Sequence, residues 1–284
     1  MTNRAVVLTG AAGGLGRAMA LGLASAGHDI AITDLDEGGL VETAELARQC
    51  RPAGHVVPLV ANLADPAQLR RLVADAEAAL GRIDVLINNA GLGIDHIRRD
   101  FLQRPVRFWE VEPEQADRVF RVNGLAPFLL AREVVPGMLA RGFGRIVNVT
   151  TSLDTMMRPG FAPYGGTKAS LEAHSAIMAG DLAGSGVTVN VLIPGGPADT
   201  GMIPHEAGFD RRRLIRPDVM VPPLLWLMSD EGGGITGRRF IAAAWDKTRT
   251  GSQASDAASA PVAWPDVGAQ TRWPDGAAPQ ATIN

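Results

Sequence analysis

Short apolar runs separated by stretches of helical spacing recur along this chain and leave few folds open to it. Ala5–Thr9 is the first run, and Leu15, Ala18, Met19, Gly22 and Leu23 follow at helical intervals. Asp29–Thr33, His55–Val60, Val85–Ile87, Arg145–Val149 and Val187–Ile193 read as further strands, and Phe240–Ala243 as a seventh. Leu69, Leu72, Val73, Ala76 and Leu80 form a helical stripe. Helices are also expected over about 114–140, 162–184 and 222–229, the last opening with Pro222-Pro223. Nearly continuous apolar strands must be covered on both sides. The expectation is an α/β doubly wound fold, a parallel seven-stranded sheet with helices on both faces and right-handed crossovers.

Two segments break this pattern. Leu92–Pro113 is a long connection rich in Arg, Phe and Trp, and Asp246–Asn284 is rich in Ala, Pro, Ser and Asp without helical or strand period. The chain therefore divides into one domain over 1–245, with substrate loops at 92–113 and 196–214, and an irregular tail over 246–284. Trp245, Trp264 and Trp273 are three of the five tryptophans, so the tail is expected to lie against a surface, its own or a neighbouring subunit's. A hydrophobic content of 46% with 20% charge suits a large core. The net charge of −3 argues against nucleic acid as a main partner. The single cysteine, Cys50, rules out an internal disulfide framework and fits a reducing compartment. Met1–Gly10 already reads as a strand entering a glycine turn, so neither signal peptide nor membrane span is expected, and the expected location is cytoplasmic. No His/Cys/Asp/Glu spacing calls for a metal.

The first strand runs into Thr9-Gly10-Ala11-Ala12-Gly13-Gly14-Leu15-Gly16 and then a helix. Such a turn lets backbone N–H groups approach a pyrophosphate at a helix N-terminus. Asp34 follows the second strand, where a carboxylate accepts from ribose hydroxyls and repels a 2′-phosphate; as a plain strand-end residue it would cap the turn instead. With no Arg or Lys in the glycine loop and Leu35 after Asp34, the balance favours NAD over NADP. Tyr164-Gly165-Gly166-Thr167-Lys168 holds the only tyrosine of the chain, with a lysine one helical turn on. An ammonium held beside a phenol stabilises the phenolate and lowers its pKa, which makes the pair a general acid/base for an alcohol oxygen. Tyrosine and lysine four apart also arise by chance on solvated helices, so the pair needs the company of other motifs.

That company is present. Thr9-Gly10-x-x-x-Gly14-x-Gly16, Asn88-Asn89-Ala90-Gly91, Asn123, Thr150-Thr151-Ser152, Tyr164-x-x-x-Lys168 and Pro194-Gly195 occur in order over about residues 4–243, and the chain thereby resembles the classical short-chain dehydrogenase/reductase family. The resemblance implies a Rossmann fold and an NAD(H)-dependent oxidoreductase interconverting a secondary alcohol and a ketone. It assigns Tyr164 the proton transfer, Lys168 the nicotinamide ribose and the tuning of Tyr164, and Asn123 a water relay. The family serine that steadies the substrate oxygen lies thirteen positions before the tyrosine, at Thr151, with Ser152 one residue later. The cofactor is expected against Gly10, Gly14, Leu15, Gly16, Asp34, Asn62, Leu63, Asn89, Ala90, Gly91, Pro194 and Gly195. Asn62 replaces the acidic residue the family commonly carries. The family threonine five residues after the proline falls on Asp199, and Thr200, one later, is the better candidate.

Arg98, Arg99, Arg104 and Arg107 of the first loop and Arg211-Arg212-Arg213 of the second could favour an anionic substrate, or could simply be paired at the surface; His96 and His205 read as surface residues. The partners expected are a small-molecule alcohol or ketone and, by the resemblance, a second or further copies in a homodimer or homotetramer. Two other activities stay open: an NAD-binding scaffold or redox sensor without turnover, and an epimerase or dehydratase on the same fold.

Overall fold

The computed structural model describes residues 2–265. Among them, eight strands form one sheet: β1 (Ala5–Thr9), β2 (Asp29–Asp34), β3 (Val56–Val60), β4 (Val85–Asn88), β5 (Gly144–Val149), β6 (Val187–Ile193), β7 (Arg238–Ile241) and β8 (Ser259–Pro261). Their spatial order is β3-β2-β1-β4-β5-β6-β7-β8. Neighbours pair in parallel as far as β7, and β8 runs antiparallel to β7. The order reverses between β1 and β4, and the crevice beyond the strand ends at such a switch point is where ligands bind in open α/β sheets.

Helices α1 (Gly14–Ser25), α2 (Glu37–Cys50), α3 (Pro66–Leu80), α4 (Pro113–Phe120), α5 (Ala126–Arg141), α6 (Leu153–Met157), α7 (Tyr164–Asp181), α8 (Val221–Met228) and α9 (Gly251–Ala258) surround the sheet. The period of two along each strand divides the core. Val6, Leu8, Ile30, Ile32, Val85, Ile87, Val147 and Val149 face one apolar cluster with α1, α2 and α8. Val7, Ala31, Leu86 and Ile146 face the other, with α3 and α5. Local signals set the helix ends: α3 starts on the Asp65 carboxylate, which accepts from Ala67 N at 2.9 Å, with Pro66 in its first turn. Gly81 closes it in the left-handed region at φ 79°.

Four expectations change. The seventh strand is Arg238–Ile241 rather than Phe240–Ala243, and Ala242–Ala244 forms a 3-10 turn. Two arginines concealed it, because each spends its charge on a partner: Arg238 on Ser259 at 2.9 Å and Arg239 on Glu172 at 2.9 Å. The helix expected over 114–140 is α4 and α5 joined by a π-helical turn at Arg121–Leu125 that carries Asn123. Within the connection at 92–113, Ile94, Phe101 and Val106 are buried together with Tyr164.

The tail is regular where described. Thr250 caps α9 by accepting from Gln253 N, Val262 packs with Val191 and Ile193, and β8 adds an eighth strand to the expected seven. Trp245 meets Trp226 at a tilt with ring centroids 5.5 Å apart, and β8 and Val262 lay this part of the tail on its own domain; Trp273 lies outside the described residues. The helix signal was the Thr250-x-x-Gln253 spacing, a capping pattern that an eight-residue helix with small side chains leaves without an apolar stripe. No helix among the described residues is long and apolar enough to cross a membrane.

Candidate active site

At the switch point a cleft of about 790 Å³ opens, lined by the glycine turn on one side and Tyr164 on another. Its floor is tied by side chains at the strand ends. Thr9 Oγ1 accepts from Asn89 N at 3.0 Å and Ala90 N at 3.1 Å, and Asn89 Nδ2 donates to the carbonyls of Thr9 and Gly10 at 2.9 and 3.0 Å. A methyl at Gly16 would collide with the Gly10 carbonyl, so the turn closes only on glycine. Gly10, Gly14, Leu15, Gly16, Asn62, Leu63, Ala90, Gly91, Pro194 and Gly195 all line the same cleft. Asn62 accepts from Ala64 N at 3.0 Å, which shapes the turn after β3.

Asp34 stands at the rim. Its carboxylate accepts from Ala12 N at 3.0 Å, Leu35 N at 2.7 Å and Asp36 N at 3.2 Å, so the capping role and the cleft position coincide. Arg17 is the cation next to the glycine turn. It is spent on Glu42 at 2.6 Å, Thr43 at 3.0 Å and the Ala12 carbonyl at 2.7 Å. A dinucleotide fits these residues: backbone N–H groups at the start of α1 suit a pyrophosphate, and the Asp34 carboxylate suits hydroxyl donors.

Tyr164 and Lys168 open α7, and burial governs both. The phenol is pushed up to about 12 by burial, against a lowering hydrogen bond from Thr151 and a further raising by the Asp95 charge. The lysine is lowered to about 8 by burial, and its Nζ donates to the Val149 carbonyl at 2.8 Å. This corrects the expectation of a tyrosine lowered by its lysine: in a site this enclosed the cost of a buried phenolate outweighs the helical proximity, and the ammonium serves the end of β5. Lys168 Nζ and Asn123 Oδ1 both come against Gly91, where a methyl would stand 3.2 and 3.4 Å from them. Asn123 clamps the next residue, accepting from Leu92 N at 2.7 Å and donating to Leu92 O at 2.9 Å and Thr167 Oγ1 at 3.1 Å.

The two hydroxyl candidates after β5 separate cleanly. Ser152 caps α6, accepting from Thr155 N at 3.2 Å and sharing a 2.7 Å hydrogen bond with the Thr155 hydroxyl. Thr151 is left out of that cap and lines the cleft with Tyr164, whose phenol its hydroxyl lowers against the effect of burial. The Thr151 carbonyl accepts from Arg239, which also pairs with the fully buried Glu172, and Glu172 accepts from Thr150 at 2.9 Å. Sequence reading missed this brace, because Glu172 and Arg239 are 67 positions apart and resemble surface charges.

The flap resolves likewise. Asp199 is held by Arg211 and, at 3.0 Å, by Arg216. Thr200 turns toward the glycine loop, where its methyl would stand 2.9 Å from a Cβ at Gly14. Four more of the loop arginines are also paired: Arg98 with Glu110 at 3.2 Å, Arg99 with Glu206 at 3.4 Å, Arg104 with Asp100 at 3.5 Å and Arg212 with Asp210 at 3.1 Å. Surface pairing thereby accounts for five of the seven loop arginines, and the Arg99 pair clasps the two loops together. His96 and His205 are exposed. Asp95, beside Tyr164 in the cleft, carried no signal in the sequence, since one acidic residue in an arginine-rich loop looks like a partner for those arginines.

Comparison with known proteins agrees with this geometry. The family model for short chain dehydrogenases matches residues 4–207. A 2-dehydro-3-deoxy-L-rhamnonate dehydrogenase (NAD(+)) of Sphingomonas sp. (strain SKA58) is 34% identical over 68% of this chain and 71% of its own. A 3-oxoacyl-[acyl-carrier-protein] reductase of Thermotoga maritima is 32% identical over 84% of this chain and 95% of its own. Among solved structures, a metagenomic short-chain oxidoreductase in complex with NADP is 25% identical with a TM-score of 0.68, covering 83% of this chain and 95% of that one. A glycine turn at the switch point, a buried Tyr164 in the same cleft and a family match over most of the chain together make this protein a member of the short-chain dehydrogenase/reductase family, oxidoreductases built on an NAD(P)-binding Rossmann fold.

Proposed function

We propose that the protein interconverts a secondary alcohol and a ketone with NAD(H), Tyr164 moving the proton. The observation that carries this reading is one cleft lined by the glycine turn, Thr151 and the buried Tyr164 and Lys168. The nicotinamide, when bound, supplies or accepts the hydride. Thr151 and Tyr164 are suited to hold the substrate oxygen between two hydroxyls. At neutral pH the buried Tyr164 is a phenol, the proton donor that carbonyl reduction requires. Lys168 carries an ammonium through the lower part of its range, positioned to meet ribose hydroxyls and, in the oxidative direction, to support the phenolate. Asn123 anchors Leu92 and the floor of the cleft, and its relay role follows from the family. Asn89 and Thr200 border the cofactor, and Ser152 serves the site as the cap of α6.

The preference for NAD over NADP rests on Asp34 and on Arg17. A carboxylate at the rim repels a 2′-phosphate, and Arg17, the neighbouring cation, is committed to Glu42. The exposed thiol of Cys50 suits the reducing cytoplasm. Phe120, Leu125, Phe128 and Ile177 leave apolar surface on α4, the π-helical turn, α5 and α7, and this face supports a homo-oligomer.

Wild type and Tyr164→Phe, assayed in parallel on secondary alcohols, hydroxy acids and ketones with each cofactor, test the reading. NAD(H)-linked turnover that falls at least about a hundredfold in Tyr164→Phe is the expected result. Turnover that survives the substitution, or substrate converted with no net cofactor reduction, would remove it.

A further inference from the structure

Glu172 lies on α7, the helix that Tyr164 opens, and is fully buried. Its Oε2 atom accepts from the Thr150 hydroxyl at 2.9 Å. Its Oε1 atom accepts from Arg239 Nε at 2.9 Å and from the backbone N–H of Ala263, in the tail, at 3.4 Å. Arg239 in turn donates to the carbonyl of Thr151. The tail reaches this carboxylate by a definite route. Strand β8 sets Ala260 opposite Arg239, and Val262 N then donates to the Gly237 carbonyl at 2.9 Å. The Val262 side chain is buried on Val191 and Ile193 of β6 with Ala176 of α7. Ala263 follows at φ 59°, the one residue other than glycine in the left-handed region among the described residues.

An ion pair open to water holds its members loosely, because solvent replaces either partner at little cost. Shut away from water the same pair is stiff, since any departure leaves a charge without a partner. Glu172 and Arg239 are of the second kind, at 0% and 6% exposure. The tail supplies part of that enclosure: β8 runs beside Arg239, and Val262 sits across Ala176, one helical turn along α7 from Glu172. A left-handed backbone is costlier for alanine than for glycine and persists only where its surroundings over-determine it. Here the buried Val262 on one side and the bond from Ala263 to Glu172 on the other do so. Pairing of the β7 edge ends at Pro261, so the bend at Ala263 serves the carboxylate rather than the sheet.

Resting on the alcohol–ketone reading above, in which Thr151 serves the substrate oxygen, we propose that the tail is part of the support of the active site: Val262 and Ala263 are positioning residues that hold Thr151 in the cleft wall through Glu172 and Arg239. The glycine turn, Asp34 and Asn89 follow β1, β2 and β4 and take no part in this series of contacts. The tail therefore governs the chemical step and not the affinity for cofactor.

Three substitutions in the full chain test this. Val262→Asp puts a charge into the apolar seat. Ala263→Pro removes the N–H and fixes φ at about −65°, which the turn cannot accept, and it carries the test if the aspartate variant does not fold. Val262→Ile keeps the apolar seat and is the conservative control. Backbone hydrogen exchange over residues 150–157, measured on NADH-saturated protein, should quicken at least about tenfold in the first two variants. Residues 5–16, the first strand and glycine turn, should exchange as in wild type, and NADH affinity read from its fluorescence should stay within about twofold. On the alcohol that the substrate panel identifies, kcat should fall about tenfold in both variants with KM for NAD unchanged, and Val262→Ile should match wild type. Unchanged exchange over 150–157, or quicker exchange with wild-type kcat, would overturn the proposal. Equal loosening of 5–16 and 150–157 would do so too, since the tail would then only stabilise the fold. A wild type that turns over nothing in the panel would remove the alcohol–ketone reading alone, and exchange would still decide whether the tail holds Thr151.

Discussion

Tyr164 is the only tyrosine of the chain, so its titration can be followed without interference. Burial and the Asp95 charge hold its proton more tightly in the folded protein, near pKa 12 against an ordinary 10.0. The folded-state pKa is raised, so the side chain contributes stability that is fully present below about pH 10 and is lost as pH rises through about 12. Ultraviolet tyrosinate absorbance of the cofactor-free protein should stay flat through pH 10 and rise only beyond it, and Asp95→Asn should move that rise to lower pH. A tyrosinate signal below pH 9 would show that the lysine, not burial, governs the phenol. The Tyr-x-x-x-Lys spacing was legible along the chain, and so were the glycine turn and Asp34, because each depends on neighbours within one turn of helix or one strand end. The sign of the Tyr164 shift was not, because it depends on how much water the folded loops exclude. That Ser152 rather than Thr151 caps α6 likewise needed the structure, since two adjacent hydroxyls differ only in which one the start of that helix consumes.

Among the elements, β7 and α7 are joined through a buried pair that has no counterpart in either element's own pattern. Arg239 on β7 meets Glu172 on α7 at 2.9 Å and donates to the carbonyl of Thr151, so the strand, the catalytic helix and the residue facing Tyr164 are fixed as one unit. Removing one member leaves the other charge buried without a partner, at a cost of about 3–5 kcal/mol. Arg239→Met and Glu172→Gln should each lower the midpoint of denaturant unfolding strongly, whereas the double variant should recover much of the loss. If the pair also positions Thr151, a folded double variant should show a reduced kcat with KM for cofactor unchanged, measured on whichever substrate the panel identifies. A double variant with wild-type kcat would leave the pair a purely structural one. The strand boundaries from β1 to β6 were readable because apolar runs of four to seven residues announce them. The two arginines in β7 hid its true register, since a charge in a strand reads as surface until its partner 67 residues away is in place.

For the whole molecule, the apolar surface on α4, α5 and α7 and the closed edge at β8 point to different consequences. Phe120 and Ile177 are 51% and 59% exposed, and burial against a second copy would remove this apolar surface from water. The β7 edge, by contrast, is already paired with β8 inside the chain, and β8 is short and ends in Pro261, a poor template for further strands. Sedimentation at micromolar concentration should therefore give a homo-oligomer that Ile177→Glu with Phe128→Glu converts to monomer; a wild-type monomer would contradict it. The alternation of apolar strands with helices determined, by itself, the parallel sheet and its position between two helical layers, because secondary-structure period and burial are local consequences of side-chain order. The strand-to-glycine-to-helix run likewise determined where the cofactor crevice lies. What only the tertiary structure decided is which charges meet. Five of the seven loop arginines found carboxylates, Glu172 found Arg239, the tail found the edge of β7, and one Asp95 oxygen was buried without a donor among the described residues. Charge pairing and desolvation depend on distances between residues far apart in the chain, and those distances exist only once the chain has folded.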